Sequence, residues 1–294
     1  MDVGICIPYM ERDYDRDTTL DWCRLVDDGP FSTLSCGERV TSYTQHMTVI
    51  LSAAAALTKR VRINPSLYVM PMHEAAWVAK EVATLDVLSG GRVTVTVGVG
   101  GREHDYQAVN ASFKMRHQKL DDQVAEMRSI WAGEPRFEGA DPIGPAPVQA
   151  GGPPILSGSM GPKAMARSAK WATGIYGFTL NGNPETAKNG FAMADQAWAE
   201  AGREEKPFRA TGFWYSLAPR DADRKLKDYV FDYMKIQGEP IAKAVADTLH
   251  TSDPDSVRRA LDEIEATGCE ECFLVPATLE LAEVERAAEI IATR

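Results

Sequence analysis

Cysteine is scarce in this sequence, and the few cysteines form no recognisable framework. The 294 residues include five cysteines, at positions 6, 23, 36, 269 and 272. An odd, scattered set in a chain of this length favours reduced thiols over disulfides. Cys269 and Cys272 have the C-x-x-C spacing of redox and metal motifs, but no second Cys or His pair lies near them in the sequence. We interpret both as small apolar side chains of a buried strand and predict no metal site.

Basic residues are also fewer than acidic ones, and long hydrophobic runs are missing. The chain has 32 basic and 42 acidic side chains, a net charge of -10. Binding of nucleic acid requires a basic surface, so the charge argues against a nucleic-acid partner, and against an anionic membrane surface as well. No apolar run approaches the roughly 18 residues of a membrane span. The first residues also lack a basic leader followed by an apolar segment. We expect a soluble, cytoplasmic protein.

Short apolar segments alternate with longer amphipathic segments along the whole chain. The predicted strands cover residues 3–7, 31–35, 60–69, 92–99, 154–158, 173–178, 210–218 and 272–276. The predicted helices cover 46–60, 73–88, 117–133, 162–171, 184–202, 221–235, 254–267 and 280–292. Eight strands that alternate with helices indicate an α/β fold, a single (β/α)8 TIM barrel over residues 1–294. The Gly- and Pro-rich stretch 134–154 is either a linker or, as we prefer, an irregular excursion over the barrel mouth, because the alternation resumes after it.

The segment "VGVGG" at 97–101 ends the fourth predicted strand in glycine. A dinucleotide-binding turn requires G-x-G-x-x-G, but Glu103 stands where the third glycine belongs. In a barrel, Gly98 and Gly100 lie instead at the carboxyl end of a strand, where ligands bind. Glycine there either allows a ligand to approach the backbone or relieves packing at a barrel corner. We favour ligand approach.

The surrounding sequence resembles a known family. The stretch 79–106, "AKEVATLDVLSGGRVTVTVGVGGREHDY", is similar to the signature of the bacterial luciferase-like superfamily. The segments "GICIP", "AALTKRVRI" and "GPPILSGSMGPKAMARSAKWATGI" agree with it, so the resemblance covers about residues 1–175. It implies a TIM barrel that uses FMN or the deazaflavin coenzyme F420.

Proline interrupts the third predicted strand. Pro65 removes a hydrogen-bond donor from an apolar strand, which predicts a bulge or bend. The resemblance implies more: a non-prolyl cis peptide at Ser66-Leu67 that supports the cofactor ring. An ordinary bulge without a cofactor is the alternative.

A glycine-rich turn follows the fifth predicted strand. Pro162 at the first turn of the next helix leaves free backbone N–H groups, which favour an anion. The resemblance implies that this turn contacts the cofactor phosphate, through Ser157, Gly158, Ser159, Gly161 and Lys163. A simple helix cap is the alternative.

Three residues are candidates for catalysis. Many relatives have an acid-histidine pair at the exit of the second strand, where this chain has Glu38 and Arg39. Arginine does not act as a general base near neutral pH. Glu38 is thus a candidate proton acceptor and Arg39 a ligand for an anionic substrate or ring carbonyl, unless the two form a non-catalytic ion pair. His73 begins the predicted helix 73–88 at a position where relatives often show an Arg-His-Pro-like turn, and we expect it to position ligands.

Polar residues also follow the fourth predicted strand. Asp105 and Tyr106 match the acid-aromatic pair of the family, and Gly101 replaces the usual tryptophan, which suggests a roomier pocket. Arg102 and Lys163 would have to offset the acidic tail of F420 at the rim. All of these are candidate cofactor-binding residues.

The resemblance favours an oxidoreductase that transfers a hydride between F420 and a small organic substrate. The alternatives are an FMN-dependent two-component monooxygenase and a barrel that has lost its cofactor and acts as a binding module. Aromatic residues near strand ends suggest a partly apolar substrate: Tyr9, Tyr68, Phe178 and Trp214. The Ala-rich segment 47–57 is apolar enough to pack across a homodimer, as in relatives.

Overall fold

Eight parallel strands close into a barrel in the order of the chain. The computed structural model describes all residues 1–294. Each strand pairs in parallel with its neighbours, and the first pairs with the last. The strands are β1 (Asp2–Cys6), β2 (Thr33–Cys36), β3 (Arg62–Val69), β4 (Val95–Gly98), β5 (Ile155–Ser157), β6 (Gly174–Tyr176), β7 (Phe208–Tyr215) and β8 (Glu271–Pro276). The predicted TIM barrel is confirmed, and the open sheet of a dinucleotide-binding fold is excluded.

Eleven α-helices accompany the strands. They are α1 (Arg16–Asp28), α2 (Met47–Leu57), α3 (Ala75–Ser89), α4 (Glu103–Ala108), α5 (Arg116–Trp131), α6 (Pro162–Ser168), α7 (Pro184–Glu200), α8 (Ala222–Met234), α9 (Glu239–Asp247), α10 (Pro254–Glu265) and α11 (Leu281–Ala292). Short 3-10 turns lie at Met70–Met72 and Lys235–Gln237. All eight predicted helices are present, whereas α1, α4 and α9 were not predicted.

Local signals explain where helices begin and end. In α10, the Asp253 side chain accepts from the backbone N–H of Ser256, and the Ser256 hydroxyl lies next to the Asp253 N–H, which is a capping box. The same arrangement of Asp15 and Thr18 begins α1. Helix α3 ends at Gly90, whose φ of 71° is the left-handed conformation expected at a glycine cap.

The inside of the barrel is filled below its mouth. Phe273 packs with Leu156 and Ala210 in a buried cluster, and Tyr176 and Phe208 pack against it. The Tyr176 and Phe273 rings lie 4.8 Å apart. The axis is thus blocked by side chains, as in other packed barrels, and any ligand must bind above Tyr176.

The long irregular stretch 134–154 does not lie over the mouth. The Lys80 ammonium donates to the carbonyl of Gly144 at 2.6 Å, and the Gln149 amide donates to Asp86 at 2.8 Å and to the Val93 carbonyl at 2.7 Å. These contacts place the excursion against α3 and the start of β4. Our expectation was wrong because a connection from a helix to the next strand returns to the amino end of the barrel, away from the ligand face.

A helical hairpin after β7 covers part of the mouth. Helices α8 and α9 pack on a small apolar cluster of their own, which contains Trp214, Leu226, Val230, Leu249 and Ala277. The hairpin adds the side chains of Tyr229 and Tyr233 to the carboxyl end of the barrel.

The structure also shows the surroundings of the cysteines and the length and apolarity of the helices. All five cysteines are buried and free. Burial raises the pKa of the Cys269 thiol to about 12, so this residue is a neutral thiol near pH 7. None of the helices is both long enough and apolar enough to cross a bilayer.

Candidate active site

A cavity of about 490 Å³ opens at the carboxyl ends of the strands. Its lining is mostly apolar, with a few convergent polar groups, which is typical of a small-molecule site. Nine of the predicted site residues line it: Glu38, Arg39, Ser66, Leu67, Gly100, Arg102, Asp105, Tyr106 and Gly158. The others, His73, Gly98, Ser157, Ser159, Gly161 and Lys163, do not contribute to the lining.

Strand β3 supplies one side of the cavity. Its register against β4 shifts between Ser66 and Tyr68, so the expected bulge is present. The Ser66-Leu67 peptide bond is cis, at the position that the family resemblance implied. The bulge brings both residues to the cavity surface.

The glycines around Leu67 have a packing role. A Cβ atom at Gly158 would lie 2.7 Å from Leu67 Cδ2, and one at Gly98 would lie 3.1 Å from Leu67 Cδ1. Gly100 has a φ of 60°, and a Cβ there would lie 2.9 Å from the Val69 side chain. Gly98 therefore makes room for Leu67 beneath the cavity, the packing alternative left open by the sequence. Gly100 and Gly158 both pack and border the cavity.

Glu38 and His73 form a hydrogen-bonded pair next to the cavity. His73 Nε2 lies 2.6 Å from Glu38 Oε1, and the Val69 backbone N–H donates to Glu38 Oε2 at 2.6 Å. Burial disfavours the charged imidazole, but the hydrogen bond and the charge of Glu38 outweigh it and raise the pKa of His73. Glu38 borders the cavity and His73 lies behind it, so Glu38 pairs with His73, and the alternative of a Glu38–Arg39 ion pair is not found.

Arg102 and Asp105 lie at the rim above β4. Asp105 accepts from the backbone N–H of Thr41 at 2.8 Å and also from the Thr41 hydroxyl. Arg102 Nε lies 3.7 Å from Asp105, an ion-pair distance without a hydrogen bond. The Tyr106 hydroxyl donates to the Val99 carbonyl at 2.5 Å, which fixes the turn from β4 into α4.

The glycine-rich turn after β5 lies at the edge of the cavity. The hydroxyls of Ser157 and Ser159 are 2.7 Å apart, and the Gly158 N–H donates to the Val97 carbonyl. Gly161 precedes α6 without a side-chain cap, and Lys163 is exposed. The turn thus keeps free N–H groups near the mouth, and it contributes Gly158 and Met160 to the cavity wall.

Sequence reasoning missed the wall contributed by the α8 segment. Tyr229, Tyr233, Met234, Ile236 and Gln237 all line the cavity. Tyr229 and Tyr233 are four residues apart, on one face of a predicted helix, and this spacing was the available signal. The local sequence does not show that this face of the helix turns toward the mouth of the barrel.

Aromatic side chains cross the opposite side of the cavity. The rings of Phe178 and Trp214 lie 4.8 Å apart, and those of Trp214 and Tyr233 lie 5.0 Å apart. The Arg39 guanidinium continues the row at 4.2 Å from the Tyr233 ring centre. Tyr9 also lines the cavity, but Tyr68 does not: its hydroxyl donates to Glu81 on the outside of the barrel.

These features define a closed (β/α)8 barrel with an apolar, ligand-sized cavity at its carboxyl mouth. Residues 1–287 match the family described as luciferase-like monooxygenase, and the chain belongs to that family. An uncharacterized protein of Mycobacterium bovis is 27% identical over 197 residues, which cover 63% of this chain and 66% of that protein. A 2,5-diketocamphane 1,2-monooxygenase of Pseudomonas putida is 28% identical over 128 residues, 42% of this chain and 35% of the enzyme. The matched segments thus span less than two thirds of these relatives.

Solved structures share the fold over the full chain. An F420-dependent secondary alcohol dehydrogenase with an F420-acetone adduct superposes with a TM-score of 0.81 at 19% identity, covering 99% of this chain and 98% of the other. The oxygenating constituent of 3,6-diketocamphane monooxygenase from Pseudomonas putida, with FMN, gives 0.74 at 18% identity, covering 100% and 98%. At these identities the likeness shows the fold alone.

Proposed function

We propose that the protein is an oxidoreductase that uses coenzyme F420 for hydride transfer to or from a small, partly apolar organic substrate. The observation that carries the proposal is the cavity at the mouth. Leu67, Gly100 and Gly158 form one side of the cavity and contribute no polar side chains to it. The aromatic row from Phe178 to Tyr233 forms the other side. A flat ring and an apolar substrate both suit such walls.

The residues present fit a phosphorylated ring cofactor. Ser66, Leu67 and Gly100 would support the ring, and the turn from Ser157 to Lys163 would hold its phosphate. Arg102, whose buried Nε has no hydrogen-bond partner, lies at the rim, outside the turn that would hold the phosphate. When bound, the deazaflavin supplies the redox chemistry, and the protein supplies orientation and charge.

Glu38 and His73 would take part in proton transfer in this reaction. Glu38 raises the pKa of His73, so the imidazole takes up a proton more readily beside a carboxylate that faces the cavity. Glu38 thus offers a proton acceptor at the cavity edge, with the His73 imidazole behind it as its hydrogen-bond partner. Arg39 would orient the substrate and does not transfer protons.

An FMN-dependent two-component monooxygenase is the second candidate. It is supported by the similarity to the diketocamphane monooxygenases, one of which is described with FMN. In that case the apolar walls would exclude water from the reacting cofactor.

Titration of the purified protein with F420 and with FMN, followed by fluorescence quenching, tests the proposal. We expect saturable binding of F420, tighter than that of FMN. Leu67→Ala should weaken binding, whereas Val148→Ala, at an exposed position in the 134–154 stretch, should not. Tighter binding of FMN would favour the monooxygenase, and binding of neither would leave a non-catalytic barrel.

We also propose that the chain forms a homodimer through α2 and α3. Val49, Trp77 and Leu88 are 66%, 65% and 47% exposed, and a groove of about 330 Å³ lies between the two helices. Large apolar side chains clustered in this way are typical of an interface. Light scattering should give the mass of two chains, and Trp77→Glu should give one. Phe137→Glu, at an exposed phenylalanine in the 134–154 stretch, should leave the mass unchanged.

A further inference from the structure

Two arginines lie at the boundary between two cavities. Arg39, after β2, and Arg102, after β4, border both the 490 Å³ cavity and an adjoining outer cavity of about 700 Å³. A group held between them would therefore lie where the inner, apolar cavity opens to the outer, polar one.

Neither guanidinium is neutralised within the protein by a close hydrogen-bonded carboxylate. Arg39 stacks on Tyr233 and forms no ion pair. Arg102 Nε is buried without a hydrogen-bond partner, and its nearest carboxylate, Asp105, is already engaged by the N–H and the hydroxyl of Thr41. A buried donor without an acceptor is costly, and an anionic ligand would remove that cost.

The two arginines also act on each other. Burial lowers the pKa of Arg102, and the positive charge of Arg39 lowers it further, against the opposing charge of Asp105. Two like charges that approach in this way favour the binding of an anion between them. Three of the five acids that line the outer cavity have cationic partners: Asp232 pairs with Lys235, Glu280 with Lys225 and Asp228 with Arg224, whereas Glu11 and Asp13 have none.

The aromatic residues next to Arg39 indicate that the rest of the ligand is apolar. The guanidinium lies at the end of the row formed by Phe178, Trp214 and Tyr233. A molecule with an apolar body and one terminal negative group would match both features in a single pose.

We propose that Arg39 and Arg102 together bind the carboxylate of the substrate, whose apolar body lies along the aromatic row. This inference rests on the proposed function, since it names the class of substrate for the same site: an organic acid with a hydrophobic body. The two guanidiniums hold the acid group, and Glu38 and His73 stay free for the reacting end of the site.

Calorimetric titration of the full-length chain with 4-phenylbutanoate and with 4-phenylbutanamide tests this assignment. The two probes differ only in charge and terminal atoms. We expect the carboxylate to bind at least about 10-fold tighter, as for charge-assisted hydrogen bonds. The preference should disappear in Arg39→Met and in Arg102→Met, which keep an apolar side chain, and persist in the control Arg259→Met on α10. Equal affinities in the wild type, binding of neither probe, or a preference that survives both substitutions would overturn the assignment.

A parallel titration with FMN and with riboflavin tests whether the anion that the two arginines bind belongs to the cofactor instead of the substrate. The two flavins differ in the phosphate. If the variants weaken FMN but not riboflavin, the arginines hold the cofactor phosphate and the substrate assignment is wrong. We expect both flavins to be affected equally or not at all. Failure of the proposed function is a distinct result: neither F420 nor FMN binds the wild type, although the preference for the carboxylate stands.

Discussion

Glu38 holds His73 with one carboxylate oxygen and the backbone of Val69 with the other, each at 2.6 Å. One side chain thus ties the exit of β2 to the end of β3 and to the residues that lead into α3. Only 10% of the Glu38 side chain is exposed, so its charge acts on His73 with little screening by water. The pair therefore places one carboxylate at the cavity edge, with the imidazole behind it.

The first prediction concerns the imidazole. In Glu38→Gln the pKa of His73 should fall below its wild-type value, because burial then acts without the opposing carboxylate. Since the folded-state pKa is raised, the pair stabilises the wild type fully below pH 6.5, and this stabilisation is lost as the pH rises through the raised pKa. NMR titration of the histidine ring protons measures the pKa directly. The exposed Glu103→Gln is the control, and an unchanged His73 in Glu38→Gln would contradict the account.

The second prediction concerns the space around Leu67. Gly158→Ala places a methyl group 2.7 Å from Leu67 Cδ2 and should destabilise the fold by about 1–3 kcal/mol, as overpacking does. The displaced Leu67 should also weaken cofactor binding. Gly101→Ala is the matched control, because its Cβ meets nothing within 4 Å. Urea unfolding measures the stability, and a restored stability in Gly158→Ala combined with Leu67→Ala would assign the loss to this contact.

The third prediction concerns Glu283 in α11, a buried carboxyl that joins two loops at the mouth. It accepts hydrogen bonds from Ser216, Leu217 and Thr278, yet burial outweighs them and raises its pKa from 4.5 to about 7. The folded state therefore binds this proton more tightly than the unfolded state. Its contribution to stability is complete below pH 4.5 and is lost as the pH rises through about 7.

Glu283→Gln should remove that dependence. The stability difference between wild type and variant should change by about 3 kcal/mol across this pH range, in the direction that penalises the wild type at higher pH. Chemical unfolding at a series of pH values measures it. Parallel pH profiles of the two proteins would show that Glu283 does not titrate in this range.

The fourth prediction concerns the loop that carries Arg39. Asp105→Ala removes the acceptor of the Thr41 N–H and hydroxyl and should destabilise the protein by about 1–3 kcal/mol. Amide exchange over residues 37–46 should become faster. Thr41→Val keeps the N–H donor and should have a smaller effect. Equal exchange in Asp105→Ala and wild type would mean that other contacts order this loop.

Much of the barrel could be predicted from local sequence. The β-branched run before Gly98 and the glycine cap at Gly90 mark a strand and a helix end that the structure reproduces. Pro65 correctly indicated the bulge of β3. These features depend on residues close together in the chain, so the sequence displays them directly.

What could not be predicted depends on distant contacts. The carboxylate of Glu38 pairs with His73 instead of its neighbour Arg39, because the bulge of β3 brings the Val69 N–H within reach. The role of Tyr233 follows from the direction of α8, which is set by its packing on Trp214. The position of the 134–154 stretch is set by Asp86 and Lys80, far from it in sequence.

The measurement that tests the central claim most directly is a crystal structure of the full-length protein grown with F420, and of a second crystal grown with FMN. The account predicts a ring bound at the carboxyl mouth, in contact with Leu67, Gly100 and Gly158, with its phosphate at the turn near Ser159. A ring bound elsewhere on the protein, or a mouth that stays filled by the protein's own side chains with both coenzymes present, would contradict it.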